Sequence, residues 1–394
     1  MCSADPAVSA AGRNGSGPRS AGGTDGAGER DLDGFGGVLL DVLVIGAGQA
    51  GLGVAYHLTH DAAIAVAVLD AAPVGQSWLD RWDSLRLFTP RRFSALPGLR
   101  FPRGPGRYPS RVEMAAYLRA YAAHAALPVQ TGVRVHRLFT QVSLFVALTS
   151  AGPVRARQVV VATGPFHRPL LPSAAAELEP TVTQLHSANY RRPADVPAGP
   201  VLVVGGGNSA AQLAVELAHD GREVTVACPR PPWFLPENVL GVSMYWWIYL
   251  AGILNADRHA TVSRYIRRRG DAIVGTELRE LVRRSRVRLI PQRVIGARGR
   301  DVTLADGAAV AVTSVLWCTG FRPDTAWIDI PGAIGSDGAP LHDEGASPVP
   351  GLHWMGLPWQ TRLNSSIIDG VDRDARRTAR RITAALAQNP GVPT

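Results

Sequence analysis

The sequence predicts an α/β protein built from two parallel-sheet units, the second inserted in the first. Three observations predict it. An apolar run, Val42 to Ile45, leads into Gly46-Ala-Gly48-Gln49-Ala50-Gly51 and then a helical stretch. The same pattern returns at Val201 to Val204, followed by Gly205-Gly-Gly207-Asn208-Ser209-Ala210. Each copy is followed by another apolar run that stops at Thr-Gly: Gln158 to Val161 before Thr163-Gly164, and Ser314 to Cys318 before Thr319-Gly320.

The first copy is a buried parallel strand, a glycine turn and a helix. A short β-branched strand suits a sheet covered on both faces. Gly46 permits the tight turn, Gly48 lets backbone approach a pyrophosphate, and Gly51 lets the helix lie close to the strand. Gln49 and Ala50 open the helix, whose free N–H groups and dipole favour phosphate. Ile64 to Leu69 reads as the next strand and ends in Asp70. An acid about 20 residues past the glycines can accept hydrogen bonds from a ribose diol. Together these are the marks of a Rossmann-like dinucleotide-binding domain.

In the second copy Ala210 replaces the third glycine, and alanine still permits close helix packing. Asn208 and Ser209 open the helix. The following strand, Glu223 to Ala227, ends in Cys228-Pro-Arg230 and carries no terminal acid. A carboxylate there would repel a 2′-phosphate, whereas an arginine binds one bidentately. The second site is therefore expected to take NADPH, read by Arg230.

Composition narrows the chemistry. The chain has 394 residues, enough for two or three domains. Its net charge of +9 is carried entirely by arginine, because there is no lysine. That excludes Schiff-base chemistry and a P-loop lysine. The arginines are dispersed and no nucleic-acid module accompanies them, so phosphate-rich cofactors account for them and nucleic acid is not an expected partner. The three cysteines, Cys2, Cys228 and Cys318, form no CxxC pair, which argues against a dithiol redox centre and for a reducing, cytoplasmic location. No HExxH-type spacing occurs, so no metal is expected. Residues 1–36 read as a disordered tail.

Between the motifs, Pro73 to Pro90 is dense in aromatics and turn residues. It suits a loop folding over a flat ligand, with Ser77, Trp78 and Arg81 as its cofactor-side residues. Arg111 to Ala126 has helical spacing, and strands are expected around Val133–Leu138 and Ser143–Leu148. A proline-rich connection carries His186 and Tyr190. Val239 to Leu254 is apolar, includes Trp246 and Trp247, and is short for a membrane span. It reads as a buried helix or a lid over an apolar substrate, with membrane-surface contact the less favoured reading. Asp306-Gly307 centres a hairpin, and Asp369 to Ala387 forms a final helix. The domain expectation is a first dinucleotide domain at 37–170, a linker at 171–199, a second dinucleotide domain at 200–312, and the remainder of the first at 313–394.

With both glycine motifs, both Thr-Gly strands and the His-x-x-x-Tyr linker in hand, residues 38 to 388 resemble the class B flavin monooxygenases. The resemblance is to the single-component flavin-containing monooxygenases, including bacterial members and the plant-type indole-pyruvate enzymes. Their linker signature is Phe-x-Gly-x-x-x-His-x-x-x-Tyr. His186 and Tyr190 match its second half, while Pro180 and Val182 stand where Phe and Gly would be. Tyr190, in place of the Trp of Baeyer–Villiger enzymes, favours the heteroatom-oxygenating branch. The resemblance implies FAD in the first domain and NADPH in the second. It implies oxygenation of a small organic substrate by O2 through a C4a-peroxyflavin, with His186 and Tyr190 at the catalytic linker. The Trp246-Trp247 segment suggests an apolar or aromatic substrate. A reductase that never oxygenates and a non-catalytic NADP sensor remain alternatives, and a homodimer stays open.

Overall fold

The computed structural model describes residues 38–61, 64–270 and 272–388. The tail expected over 1–36 lies outside them. β1 (Leu39–Ile45), α1 (Gln49–Asp61) and β2 (Val66–Asp70) form the first strand–turn–helix–strand unit. A short helix α2 (Gln76–Leu79) and the longer α3 (Arg111–His124) follow. Then come β3 (Val129–Thr131), β4 (Val135–Gln141), β5 (Leu144–Thr149) and β6 (Gly152–Val161). The helix α3 starts on a capping box: Ser110 Oγ accepts from the Glu113 N–H while the Glu113 carboxylate accepts from the Ser110 N–H. Such a cap is worth about 1 kcal/mol. The same helix buries Met114, Tyr117, Leu118 and Tyr121 under the first sheet.

The chain leaves the first sheet through β7 (Arg168–Pro169) and α4 (Ala174–Glu177). β8 (Thr183–His186), β9 (Val201–Val204), α5 (Asn208–His219) and β10 (Val224–Ala227) begin the second unit. Short pieces come next: β11 (Phe234–Leu235), β12 (Asn238–Val239), β13 (Val242–Ser243), α6 (Met244–Leu250), α7 (Thr261–Arg269) and β14 (Ile273–Val274). After α8 (Glu277–Arg283) and β15 (Val287–Ile290), β16 (Val294–Arg298), β17 (Asp301–Leu304) and β18 (Ala309–Ala311) make a small antiparallel sheet. β19 (Ser314–Trp317), β20 (Phe321–Arg322), β21 (Ile328–Asp329), β22 (Leu352–Trp354) and α9 (Ile368–Gln388) complete the chain.

The first sheet has the order β21-β4-β5-β6-β1-β2-β3, with β22 also on β6. Its central strands run parallel, with Val44 level with Val68 and Val160. The helix α9 packs on α1, and a Cβ at Gly53 would lie 2.6 Å from Val371 Cγ1, so only glycine admits this approach. The second sheet is parallel throughout, in the order β15-β10-β9-β19-β8.

This corrects two expected boundaries. β19 was expected to return the chain to the first unit from 313, but it pairs with β9, Leu316 level with Val203. The crossing falls after Thr319 instead. The linker expected over 171–199 is not a free connection, since β8 forms the edge of the second sheet with His186 level with Trp317. The two crossings pair with each other: β7 and β20 form a two-stranded antiparallel ladder, Phe321 opposite Pro169. The hairpin at Asp306-Gly307 forms as expected, joining β17 to β18. Val239 to Leu254 is not one buried helix. It is part of a hairpin followed by the seven-residue α6, with Leu240, Trp247, Tyr249 and Leu250 exposed. Too few apolar neighbours surround it to cover all its large side chains.

Candidate functional site

The first glycine turn is set against the end of β6. Gly46 has φ +109°, and a Cβ there would lie 2.6 Å from the Ala162 carbonyl oxygen. A Cβ at Gly51 would overlap the Gly46 carbonyl, whereas one at Gly48 meets nothing within 4 Å. Gly46 and Gly51 therefore shape the turn, and Gly48 faces open space at the N-terminus of α1, where Gln49 and Ala50 present backbone N–H groups. Asp70 Oδ2 accepts from the Ala47 N–H (2.7 Å) and Oδ1 from the Ala72 N–H (2.8 Å). The carboxylate thus braces the turn itself and keeps lone pairs for a hydroxyl. Across the turn, Thr163 is followed by Gly164 at φ +81°, again with open space where a Cβ would be.

Ser77 and Trp78 lie on α2, and Trp78 packs on the first core. The preceding Gly75 admits no Cβ, which would sit 2.8 Å from Ala115 Cα. His167 was not anticipated from the sequence. Confinement by protein lowers its pKa, while Asp324 and Asp70 raise it, which puts the ring within electrostatic reach of the first turn. A lone histidine after Gly-Pro-Phe offers no signal that could have found it.

The second turn repeats the design. Gly205 has φ +148° and a Cβ there would overlap the Cys318 carbonyl, while Gly207 faces open space. Ala210 is buried in the helix–sheet contact. Asn208 does not hold its side chain out to the turn. Its Nδ2 donates to the Ala272 carbonyl (2.9 Å) and its Oδ1 accepts from the Val274 N–H (2.9 Å), pinning β14 to α5. Ser209 is half-buried beside it. Arg230 is exposed and donates to the Arg268 carbonyl (2.6 Å) at the end of α7. Trp233 Nε1 donates to the Gly270 carbonyl (2.9 Å), and the Arg269 guanidinium lies 5.4 Å from the Trp233 ring. The arginine run of α7 is thereby docked beside Arg230.

Thr319 donates its hydroxyl to the Leu170 carbonyl across the paired crossings, and Gly320 has φ +88°. The Gly320 carbonyl faces His186 Nε2 at 3.1 Å, and His186 Nδ1 accepts from the Ala188 N–H at 3.1 Å. With Nδ1 accepting, the proton sits on Nε2. Burial holds the His186 pKa below its usual value, the Gly320 carbonyl opposing and Arg81 reinforcing that shift. Both ring nitrogens are engaged, so the expectation of a catalytic His186 becomes that of a residue fixing Gly320. Tyr190 is fully buried in the second core and donates its hydroxyl to Glu216 Oε2 (2.8 Å). Burial and Glu216 push the phenol far above its ordinary pKa. It touches no open space, which corrects the expectation of a catalytic Tyr190: it anchors the linker to α5.

A small apolar cleft, with room for about one water molecule as the structure stands, lies between the units. Phe88 and Tyr108 come from the first, and Leu235, Met244, Tyr245 and Ile248 from the second, with Glu237 on the lining. The Tyr245 hydroxyl crosses to Asp369 Oδ1 at the start of α9 (2.9 Å), and Asn364 Nδ2 donates to Asp369 Oδ2 (3.1 Å). No helix of the described residues is long and apolar enough to cross a membrane.

Two glycine cradles, each opposed by a Thr-Gly turn and open where a pyrophosphate would lie, define an oxidoreductase that uses two dinucleotides. The chain belongs to the pyridine nucleotide-disulphide oxidoreductase family, whose model matches residues 43–356. It is 40% identical to a CzcO-like uncharacterized oxidoreductase of Geobacillus kaustophilus, over 86% of this chain and 96% of the relative. It is 25% identical to the rice indole-3-pyruvate monooxygenase YUCCA8, over 79% of this chain and 83% of the relative. Its fold superposes on the flavin-containing monooxygenase of Stenotrophomonas maltophilia with a TM-score of 0.74 at 30% identity, covering 88% of this chain and 99% of that one. By that likeness the chain falls among the flavin-dependent monooxygenases of this family. Among the described residues Cys228 and Cys318 are free, and burial raises both thiols, Cys318 to about 12.

Proposed function

We propose that FAD occupies the first cradle, NADPH the second, and that the enzyme oxygenates a small apolar or aromatic substrate admitted at the cleft beside α6. The cleft carries this reading. Its walls are aromatic and aliphatic, come from both units, and close through the Tyr245–Asp369 hydrogen bond. Bound FAD, reduced by NADPH, supplies the electrons with which one atom of O2 enters product and the other leaves as water. The chain's own work is to bind, orient and exclude water. Gly46, Gly48 and Gly51 shape the first cradle, and Asp70 holds its turn and offers lone pairs to a ribose hydroxyl. Thr163 and Gly164 follow the end of β6 across that cradle, and Ser77 and Trp78 on α2 would lie on the FAD side. Gly205, Gly207, Ser209 and Ala210 shape the second cradle, with Thr319 and Gly320 across it. Arg230 reads the 2′-phosphate. His186 keeps Gly320 and the crossing strands in place, which would hold that edge of the second cradle for the nucleotide and keep water out.

The test sets NADPH consumed, hydrogen peroxide released and product formed side by side for a panel of amines, sulfides, ketones and aromatic 2-oxo acids. The last class is included because the rice relative is an indole-3-pyruvate monooxygenase. Substrate-stimulated NADPH use with matching product supports the reading. All NADPH appearing as peroxide with every substrate would instead favour a reductase that never oxygenates.

A further inference from the structure

Three arginines converge on the loop after α2, and two of them spend their donors on backbone and on carboxylates of that loop, Arg111 on Asp83 and Arg191 on Asp80. Arg191 Nη1 donates to the Arg81 carbonyl (3.0 Å) and Arg111 Nη1 to the Leu79 carbonyl (2.5 Å). The third, Arg81, is different. Among the described residues its guanidinium makes no hydrogen bond and no ion pair. It lies 5.4 Å from the Phe166 ring and 5.3 Å from the Phe321 ring, which themselves meet edge to face at 5.5 Å. Each of these phenylalanines follows one of the Thr-Gly turns, Phe166 after Thr163-Gly164 and Phe321 after Thr319-Gly320. His186 stacks edge-on against the same Phe321 ring at 4.8 Å. Burial lowers the Arg81 pKa, Asp80 opposing and Arg191 reinforcing the shift. An aromatic clamp holds a cation while leaving its N–H edge free. Such an edge is built to take an anion, and a bidentate phosphate is the match for a guanidinium.

The surroundings say which anion. The next residue, Trp82, is buried in the core of the second unit, and Asp83 N–H donates to the Arg191 carbonyl (2.8 Å). The loop therefore belongs, at this point, to the second site. In the second sheet β9 has β10 on one side and β19 on the other. Arg230 stands past the end of β10, where a dinucleotide's adenosine ribose lies. Phe321, against which Arg81 is held, stands past β19, and His186, which packs on Phe321, ends β8, both on the opposite side. We propose that Arg81 is the positioning residue for the pyrophosphate of NADPH, gripping it from the nicotinamide side at the paired crossing of the two units. The inference rests on the assignment of NADPH to the second cradle and not on oxygenation.

The experiment titrates oxidised, FAD-loaded enzyme with NADP⁺ and with NAD⁺ by calorimetry, so no turnover is needed. The variants are Arg81→Met, which keeps the stacking length but not the charge, Arg81→Lys, and Arg230→Ala. Both nucleotides share the pyrophosphate, so Arg81→Met should weaken both by at least about tenfold. FAD content should hold, and Arg81→Lys should recover most of the loss. Arg230→Ala should weaken NADP⁺ alone. Unchanged affinity in Arg81→Met overturns the proposal, as does a Lys variant as weak as Met, which would make the residue a packing element. Loss of FAD with NADP⁺ affinity intact on reconstitution would assign Arg81 to the first site and overturn it too. Should Arg81→Met fail to fold, Arg81→Gln is titrated in the same way, with loss of both nucleotides supporting the proposal and unchanged affinity overturning it. A wild type that binds neither nucleotide would instead remove the NADPH reading itself.

Discussion

At the scale of single residues, charge decides most. Arg230 was readable in the sequence because the missing acid and the arginine occupy a fixed place after the second glycine motif. Its dock on the Arg268 carbonyl was not readable, since α7 lies some forty residues on. That dock uses one donor and leaves the rest of the fork for a 2′-phosphate. A lost charged hydrogen bond costs about 1.5–3 kcal/mol, roughly ten- to a hundredfold in affinity, so Arg230→Ala should weaken NADPH by that factor and spare NADH. Equal weakening of both would show that Arg230 does not read the 2′-phosphate. His353 makes a prediction of pH. It is buried on β22, its Nε2 facing Gln158 Oε1 at 3.0 Å and its Nδ1 without a partner among the described residues. Burial, with Arg381 adding to it, lowers its pKa to about 4. A folded pKa below the unfolded value means that the stabilisation is full above about pH 6.5 and is lost as pH falls towards 4, where the unfolded chain takes up the proton and the folded one does not. The loss is about 3 kcal/mol from the linkage relation. Denaturant melts between pH 7 and 4 should show a shallower acid loss in His353→Gln, which keeps a neutral hydrogen-bonding group; parallel profiles for the two proteins would refute the assignment.

At the scale of elements, the two glycine turns were the most legible part of the chain, because each glycine answers a separate steric demand. The structure divides those demands and makes the division testable. Nothing lies within 4 Å of a Cβ at Gly48, while a Cβ at Gly51 overlaps the Gly46 carbonyl. Gly48→Val should therefore fold, with a melting temperature close to that of wild-type apoprotein, yet purify colourless and gain no stability from added FAD. Gly51→Ala should be destabilised even without cofactor, by about the 1–3 kcal/mol typical of overpacking, because α1 must move off β1. Apoprotein melts and the flavin absorbance of purified protein separate the two. A yellow Gly48→Val protein would show that the open space at Gly48 is not where the pyrophosphate lies. Elements of low sequence signal fared worse. β8 was hidden in a proline-rich stretch, and it is a strand only because β19 offers it an edge. The segment around Trp246 was read by its hydropathy, which cannot say which of its aromatics finds a neighbour. Tyr245 does, in Phe93 at 4.9 Å, and Leu250 does not.

At the scale of the whole molecule, the pairing of β19 with β9 was beyond sequence reading. The two Thr-Gly strands look alike, and only the register of one sheet against the other tells which unit claims each. The consequence is that two of the places where the units meet differ in kind. One is the crossing of β7 with β20, braced by His186 and by Thr319 on Leu170. The other is the contact of α6 with the first unit, where Phe93, Tyr245 and Leu254 form a small core and Tyr245 donates to Asp369. The crossing is covalent chain and cannot open. The α6 contact is a cluster of aromatics, with Tyr245 on Asp369 and, just beyond it, Arg258 on the Thr361 and Gln360 carbonyls, so in the proposed reading it is the place where the cleft admits a substrate. Tyr245→Phe keeps the ring against Phe93 and removes only the bond to a half-buried carboxylate. The expected result is a modest loss of global stability, about 1–2 kcal/mol, with faster proteolysis between residues 236 and 256. NADP⁺ affinity should be unchanged, because both sides of the second cradle are untouched. Under turnover a larger share of NADPH should appear as hydrogen peroxide, since a cleft that opens more often lets water in. Limited proteolysis and coupling measured on the same preparation decide the matter. If peroxide release rises without faster cleavage of that segment, water enters elsewhere and α6 is not the gate.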